Sequence, residues 1–182
     1  MDNIYEIIKT HNRPWPAAAV VCFAVILLLT AITAFLLHRK KLVKTLQAVA
    51  ICGMVNYLGI VFASTVFTRP LTENFTYELE PFWSWKKVLF EHSMESLEEI
   101  VLNCLLLLPI GLLLPALAGR KVNALWGLAG GFLVSLIIEL SQLMFRRGLF
   151  EWDDMIHNAL GSMAGCMIMN LILYRKKRRD FE

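Results

Sequence analysis

Long apolar blocks alternate with short polar connections along the chain. The apolar runs cover about 17–37, 46–67, 100–117, 122–145 and 155–174. At a helical rise of about 1.5 Å per residue, runs of this length approach or exceed the roughly 30 Å hydrocarbon core of a bilayer. Backbone N–H and C=O groups find no water there, so each run must satisfy them internally as a helix. The two-residue alternation of a membrane barrel strand is absent. The pattern predicts an all-α fold: a polytopic membrane helix bundle of about five transmembrane helices.

The polar connections divide the chain further. Residues 1–54 hold an N-terminal segment, the first span and a basic loop. Ile4, Ile7 and Ile8 would share one face of a short interfacial helix, and Trp15 stands where interface anchors concentrate. Residues 55–174 form the main membrane domain, and 175–182 a basic tail. The stretch 68–99 is too long for a simple turn and is rich in aromatics and carboxylates, which points to a functional loop. Pro109, Gly111 and Pro115 are expected to interrupt the third span, because proline removes a backbone donor.

Composition sharpens this reading. The chain is 57% hydrophobic, too apolar for an ordinary soluble domain. Its net charge of +3 is small, yet its basic residues are clustered. With five spans, one side of the membrane receives eleven Lys and Arg and the other receives seven. The positive-inside rule then places the N-terminus outside and the C-terminus in the cytoplasm. The basic runs are topological signals, and no soluble nucleic-acid-binding domain accompanies them. Cys22, Cys52, Cys104 and Cys166 lie in separate spans with no close-spaced pair, which argues against a disulfide framework or a zinc site. His92 and His157 lack partners at metal-ligand spacing, and no cofactor is expected. The first block exceeds a secretory h-region in length and reads as a true span.

Three spans carry polar residues where apolar ones would cost less. Gly127, Gly131, Ser135, Glu139, Gln142 and Arg146 recur at steps of three or four and share one helix face. Asp154, Asn158, Gly161, Ser162 and Gly165 share a face of the last span, with Gly161 and Gly165 suited to close helix contact. Asn103 lies near the same end of the third span. An ionisable group inside a span costs about 2.5–3.5 kcal/mol or more, so Glu139 is a functional candidate by default. Asn103, Gln142 and Asn158 serve equally well as ligand contacts or as interhelical hydrogen bonds. Asp153 fits either a helix cap or a ligand group. The candidate ligand-binding set is Asn103, Glu139, Gln142, Arg147, Asp154 and Asn158. Glu139, Asp154 and Asn158 are expected to meet between the fourth and fifth spans, because a short hairpin makes those spans antiparallel neighbours.

In order along the chain, Thr68-Arg69, Pro81-Phe82, Asn103, Pro109, Gly111, Pro115, Ser135, Glu139, Gln142, Arg147-Gly148, Asp153-Asp154, Asn158, Gly161 and Gly165 resemble the VanZ-like family of bacterial membrane proteins. The resemblance covers roughly 55–174. Glu80 departs from the usual apolar residue before Pro81, and Glu151 stands where an aspartate is frequent. The resemblance implies a link to reduced susceptibility to teicoplanin-type glycopeptides, or another role at the outer leaflet of the cell envelope. The partners it implies are membrane lipid and a lipoglycopeptide or lipid-linked cell-wall precursor. The alternatives are a structural partner of another membrane protein and a membrane-embedded enzyme on a lipid-linked substrate. In the enzyme, the catalytic candidates Glu139, Asp153 and Asp154 would supply acid–base chemistry and Arg147 would hold a phosphate.

Overall fold

The computed structural model describes residues 15–179, with side chains described up to 173. Ile4, Ile7 and Ile8 lie outside the described residues. Helix α1 spans Ala17–Arg39 and α2 spans Thr45–Phe62, continuing through a π-helical turn at Ala63–Phe67. The following loop contains a short strand β1 (Thr76–Glu78) and helix α3 (Trp83–Glu91). Helix α4 is Met94–Ala118, α5 is Ala124–Phe145, β2 is Leu149–Glu151 and α6 is Trp152–Arg179. Five of these helical segments are long and apolar enough to cross a membrane. The chain is a multi-pass membrane bundle.

Helix boundaries differ from the apolar blocks where capping overrides hydrophobicity. Ser93 accepts a hydrogen bond from the Ser96 amide and starts α4 six residues before Ile100. The helix therefore includes Glu95, Glu98 and Glu99. It also runs unbroken through Pro109 and Pro115. In a membrane, such prolines persist when neighbouring helices support the backbone. One turn from Pro109, α2 packs across, with Tyr57 Oη donating to the Leu106 carbonyl at 2.8 Å.

The bundle centres on α4, α5 and α6. The widest contact is α4 against α6, followed by α5 against α6. Small residues make that closeness possible. A side chain on Gly161 would run into the Cys104 carbonyl of α4, and one on Gly111 into the Ser162 carbonyl of α6. Val61, Val66, Leu107, Ile110 and Ile138 form the apolar core joining α2, α4 and α5. At the basic-loop end, Asn170 grips Val122 twice: its Oδ1 accepts from the amide at 3.0 Å and its Nδ2 donates to the carbonyl at 2.6 Å. Helix α1 lies at the edge, packed on α2.

Candidate functional site

At the opposite end from Asn170, three helices bring their polar faces together. The stripe on α5 turns inward as its periodicity requires: Gly127, Gly131, Ser135, Glu139 and Gln142 are all buried. Asn158 Nδ2 donates to Ser135 Oγ at 2.9 Å, joining α6 to α5. Asn103 Nδ2 donates to Asp154 Oδ1 at 2.5 Å, joining α4 to α6. Glu139 is 1% exposed. Its Oε2 accepts the Glu151 amide at 3.0 Å, which pins β2 over the helix end. The Asp154 charge acts on Glu139, so these two carboxylates share one environment.

Gln142 sits one step further toward the loops. Its Nε2 donates to the Thr65 carbonyl at 3.0 Å. Thr65 belongs to the π-helical turn, a wider coil that re-aims backbone groups and recurs at functional sites.

The loops close over this end through backbone contacts. Strands β1 and β2 pair in parallel, Thr76 opposite Leu149 and Glu78 opposite Glu151. Thr76 Oγ1 donates to the Gly148 carbonyl at 2.6 Å, and the Thr72 amide to the Arg146 carbonyl at 2.8 Å. Arg147 Nη1 donates to the carbonyls of Phe67 and Arg69, at 2.9 and 2.8 Å. Arg147 therefore rivets two loops together, while the arginine that faces the carboxylates is Arg69.

Asp153 has a similar mechanical role. Its Oδ1 accepts the Phe82 amide at 2.5 Å, and its Oδ2 accepts the Ser84 amide and hydroxyl at 3.0 and 2.5 Å. Both oxygens are committed to the N-terminus of α3, where free amides and the helix dipole favour a carboxylate. The capped helix is a different one from its own. Trp85 Nε1 donates to His157 Nε2 at 2.8 Å and fastens α3 a second time.

Two residues outside the sequence-derived candidate set complete the polar cluster. The Arg69 charge acts on Glu139, Glu151 and Asp154 together. Among the described residues, Arg69 forms no ion pair within 4.0 Å. Gly148, at φ +121°, lies beneath the guanidinium: a Cβ there would sit 2.6 Å from Arg69 Nη1. Glu151 is half-buried. Burial pushes its carboxyl up to about 8, reinforced by the charges of Asp154, Glu99 and Asp153 and opposed by Arg69. The sequence signals for both residues were weak, because an arginine at a span end and a glutamate in a hairpin ordinarily face water.

The VanZ/LLP1 family model matches residues 46–173. No curated protein matches the chain, and no solved structure does.

Proposed function

The chain belongs to the VanZ/LLP1 family, and from that premise we propose that it lowers susceptibility to teicoplanin-type glycopeptides by engaging an amphipathic or lipid-linked molecule of the cell envelope. One observation carries the reading. Glu139 is a buried carboxylate in a membrane-spanning helix, grouped with Asp154 and Glu151 around the field of Arg69. An ionisable group inside a span is costly and is retained where it does work beyond packing. The remaining contacts set out above hold that group in place. In this reading the polar cluster faces the outer leaflet, as the distribution of basic residues favours.

Expression in a susceptible strain, with teicoplanin and vancomycin compared, tests the role. The expected result is a larger protective shift for the lipidated antibiotic. No shift for any lipidated glycopeptide rejects it. Orientation has its own test. A cysteine introduced at residue 75 or 149 should react with an impermeant thiol reagent in intact cells, and one at residue 42 should not. The opposite pattern moves the polar cluster to the cytoplasmic face.

A second reading rests on the shared environment of Glu139 and Asp154. Two interacting carboxyls can divide acid and base roles on a lipid-linked substrate. A product formed from lipid-linked precursor by wild type and absent with Glu139→Gln would favour catalysis over binding.

A further inference from the structure

The bond between Trp85 and His157 constrains the charge of one partner. An indole Nε1 only donates. Trp85 Nε1 lies 2.8 Å from His157 Nε2, so that ring nitrogen holds a lone pair and the ring proton sits on Nδ1. This is a neutral imidazole. In the imidazolium both ring nitrogens are donors, and two N–H groups would then face each other across the same gap. The bond between α3 and α6 therefore exists in one charge state of His157 and not in the other. Histidine is the side chain whose ordinary titration falls between about pH 5 and 8.

The two ends of this bond are placed differently. His157 is 2% exposed in the first turns of α6, whereas Trp85 is 39% exposed on α3. When the bond is lost, the indole has a route to water or headgroups and the imidazole has none. The charged groups around the pair are engaged elsewhere or face outward. On α3, Lys86 pairs with Glu80, Lys87 lies over the Trp83 ring, and Glu91 is exposed. On α4, Glu95, Glu98 and Glu99 are exposed. On α5, Glu139 accepts the Glu151 amide. On α6, Asp154 accepts from Asn103, and the charge that acts on His157 is that of Asp153, whose oxygens are engaged by Phe82 and Ser84.

We propose that the Trp85–His157 bond is an acid-sensitive latch: protonation of His157 breaks it and loosens α3 from the bundle. The Asp153 cap and the β1–β2 pairing then remain to hold the loop. Glu151 does not produce this loosening. Its carboxyl is pushed up to about 8, so its contribution to stability grows as pH falls.

The test uses the full chain in nanodiscs, with nitrogen-15 in the tryptophan indoles. The chain has five tryptophans, and the indole N–H signal missing from Trp85→Phe belongs to Trp85. In wild type that signal should shift as the pH is lowered from about 8 to about 4.5, the histidine range with a margin below it. Hydrogen exchange, corrected for the intrinsic pH dependence of the reaction, reads the docking of α3. The amides of 85–91 should exchange about tenfold faster at the acid end, close to 1.4 kcal/mol of lost protection. His157→Gln keeps an acceptor that does not titrate, so both responses should vanish. Trp85→Phe removes the bond at every pH, so exchange should be fast throughout. Circular dichroism and thermal unfolding establish that each variant is folded. An indole signal in wild type that does not move with pH overturns the proposal. So does a pH response that persists in folded His157→Gln, which would assign it to the Asp153 cap. Should His157→Gln not fold, Trp85→Phe decides alone: slow exchange at neutral pH, or a pH response equal to that of wild type, overturns the latch.

Discussion

Helices α1 and α6 are both apolar enough to span a membrane, and they use that property in opposite ways. In α1, only 6% of the most apolar window is buried within the protein; in α6 the share is 39%. The polar side chains Thr30 and Thr33 of α1 fold back on their own helix, donating to the carbonyls of Ile26 and Leu29 at 2.7 and 2.8 Å. In α6, Asp153, His157, Asn158 and Ser162 are buried against neighbours. Lipid is as apolar as leucine, so apolar contact between helices gives little hydrophobic drive. What holds α6 is close approach of small residues and hydrogen bonds to other helices. The family match begins at residue 46, beyond α1, and contains the polar end entirely. The contrast separates a helix that anchors from one that organises a site.

The largest expected break is at Gly161, where any side chain meets the Cys104 backbone of α4. Gly161→Leu should destabilise by about 3 kcal/mol or more and lower the yield of folded protein in detergent. Thermal aggregation monitored by size-exclusion chromatography would show it. Asp153→Ala comes next. It removes the acceptor for three donors at the start of α3. A loss of about 2–3 kcal/mol is expected, with faster proteolysis inside 68–93 as the specific signature. Unchanged cleavage there would mean that the remaining contacts suffice to hold α3. Asn158→Leu should cost about 0.6–1.7 kcal/mol, the range for interhelical hydrogen bonds in membranes, measured by steric-trap or denaturant unfolding.

Glu151 adds a pH dependence that α1 cannot supply. Its carboxyl ionises near 4.5 ordinarily and near 8 in the folded chain. Its contribution to stability is therefore complete below 4.5 and is lost as pH rises through about 8. Wild type should melt at a lower temperature at pH 9 than at pH 5, and Glu151→Gln should flatten that difference. A slope of opposite sign would show that the Arg69 charge outweighs burial. The smallest effect belongs to α1: Thr30→Val with Thr33→Val should change stability by less than about 0.5 kcal/mol.

The spans were legible because the membrane demands a simple pattern, about 20 apolar residues at a time. The inward stripe from Gly127 to Gln142 was legible for a related reason. A fixed helical period carries a face along the whole element, so polarity at Ser135 and Glu139 locates the buried side. Comparable depth on adjacent helices placed Asn103, Asp154 and Asn158 at one end, but the pairs themselves, Asn103 with Asp154 and Asn158 with Ser135, depend on side-chain reach that the sequence does not specify. The loop end was not legible in this way. Asp153 finds its donors about 70 residues upstream, through a backbone turn at Phe82 with φ +62°. Arg69 comes within range for its charge to act on the carboxylates where the Gly148 turn and the β1–β2 pairing bring two loops together. Neither arrangement has a period to read. The early start of α4 came from a local cap at Ser93, which acts outside the apolar block.

The capping of α3 by Asp153 also has a meaning in time. Phe82 leaves the ribosome 71 residues before the carboxylate that receives its amide. At about 5–20 residues per second, that interval lasts about 4–14 seconds. Until then the segment has its tryptophans and lysines but lacks the charge that organises its first turn. It must cross or settle at the membrane before its partner exists. Assembly of this end of the bundle thus waits for the first turn of α6, which carries Asp153.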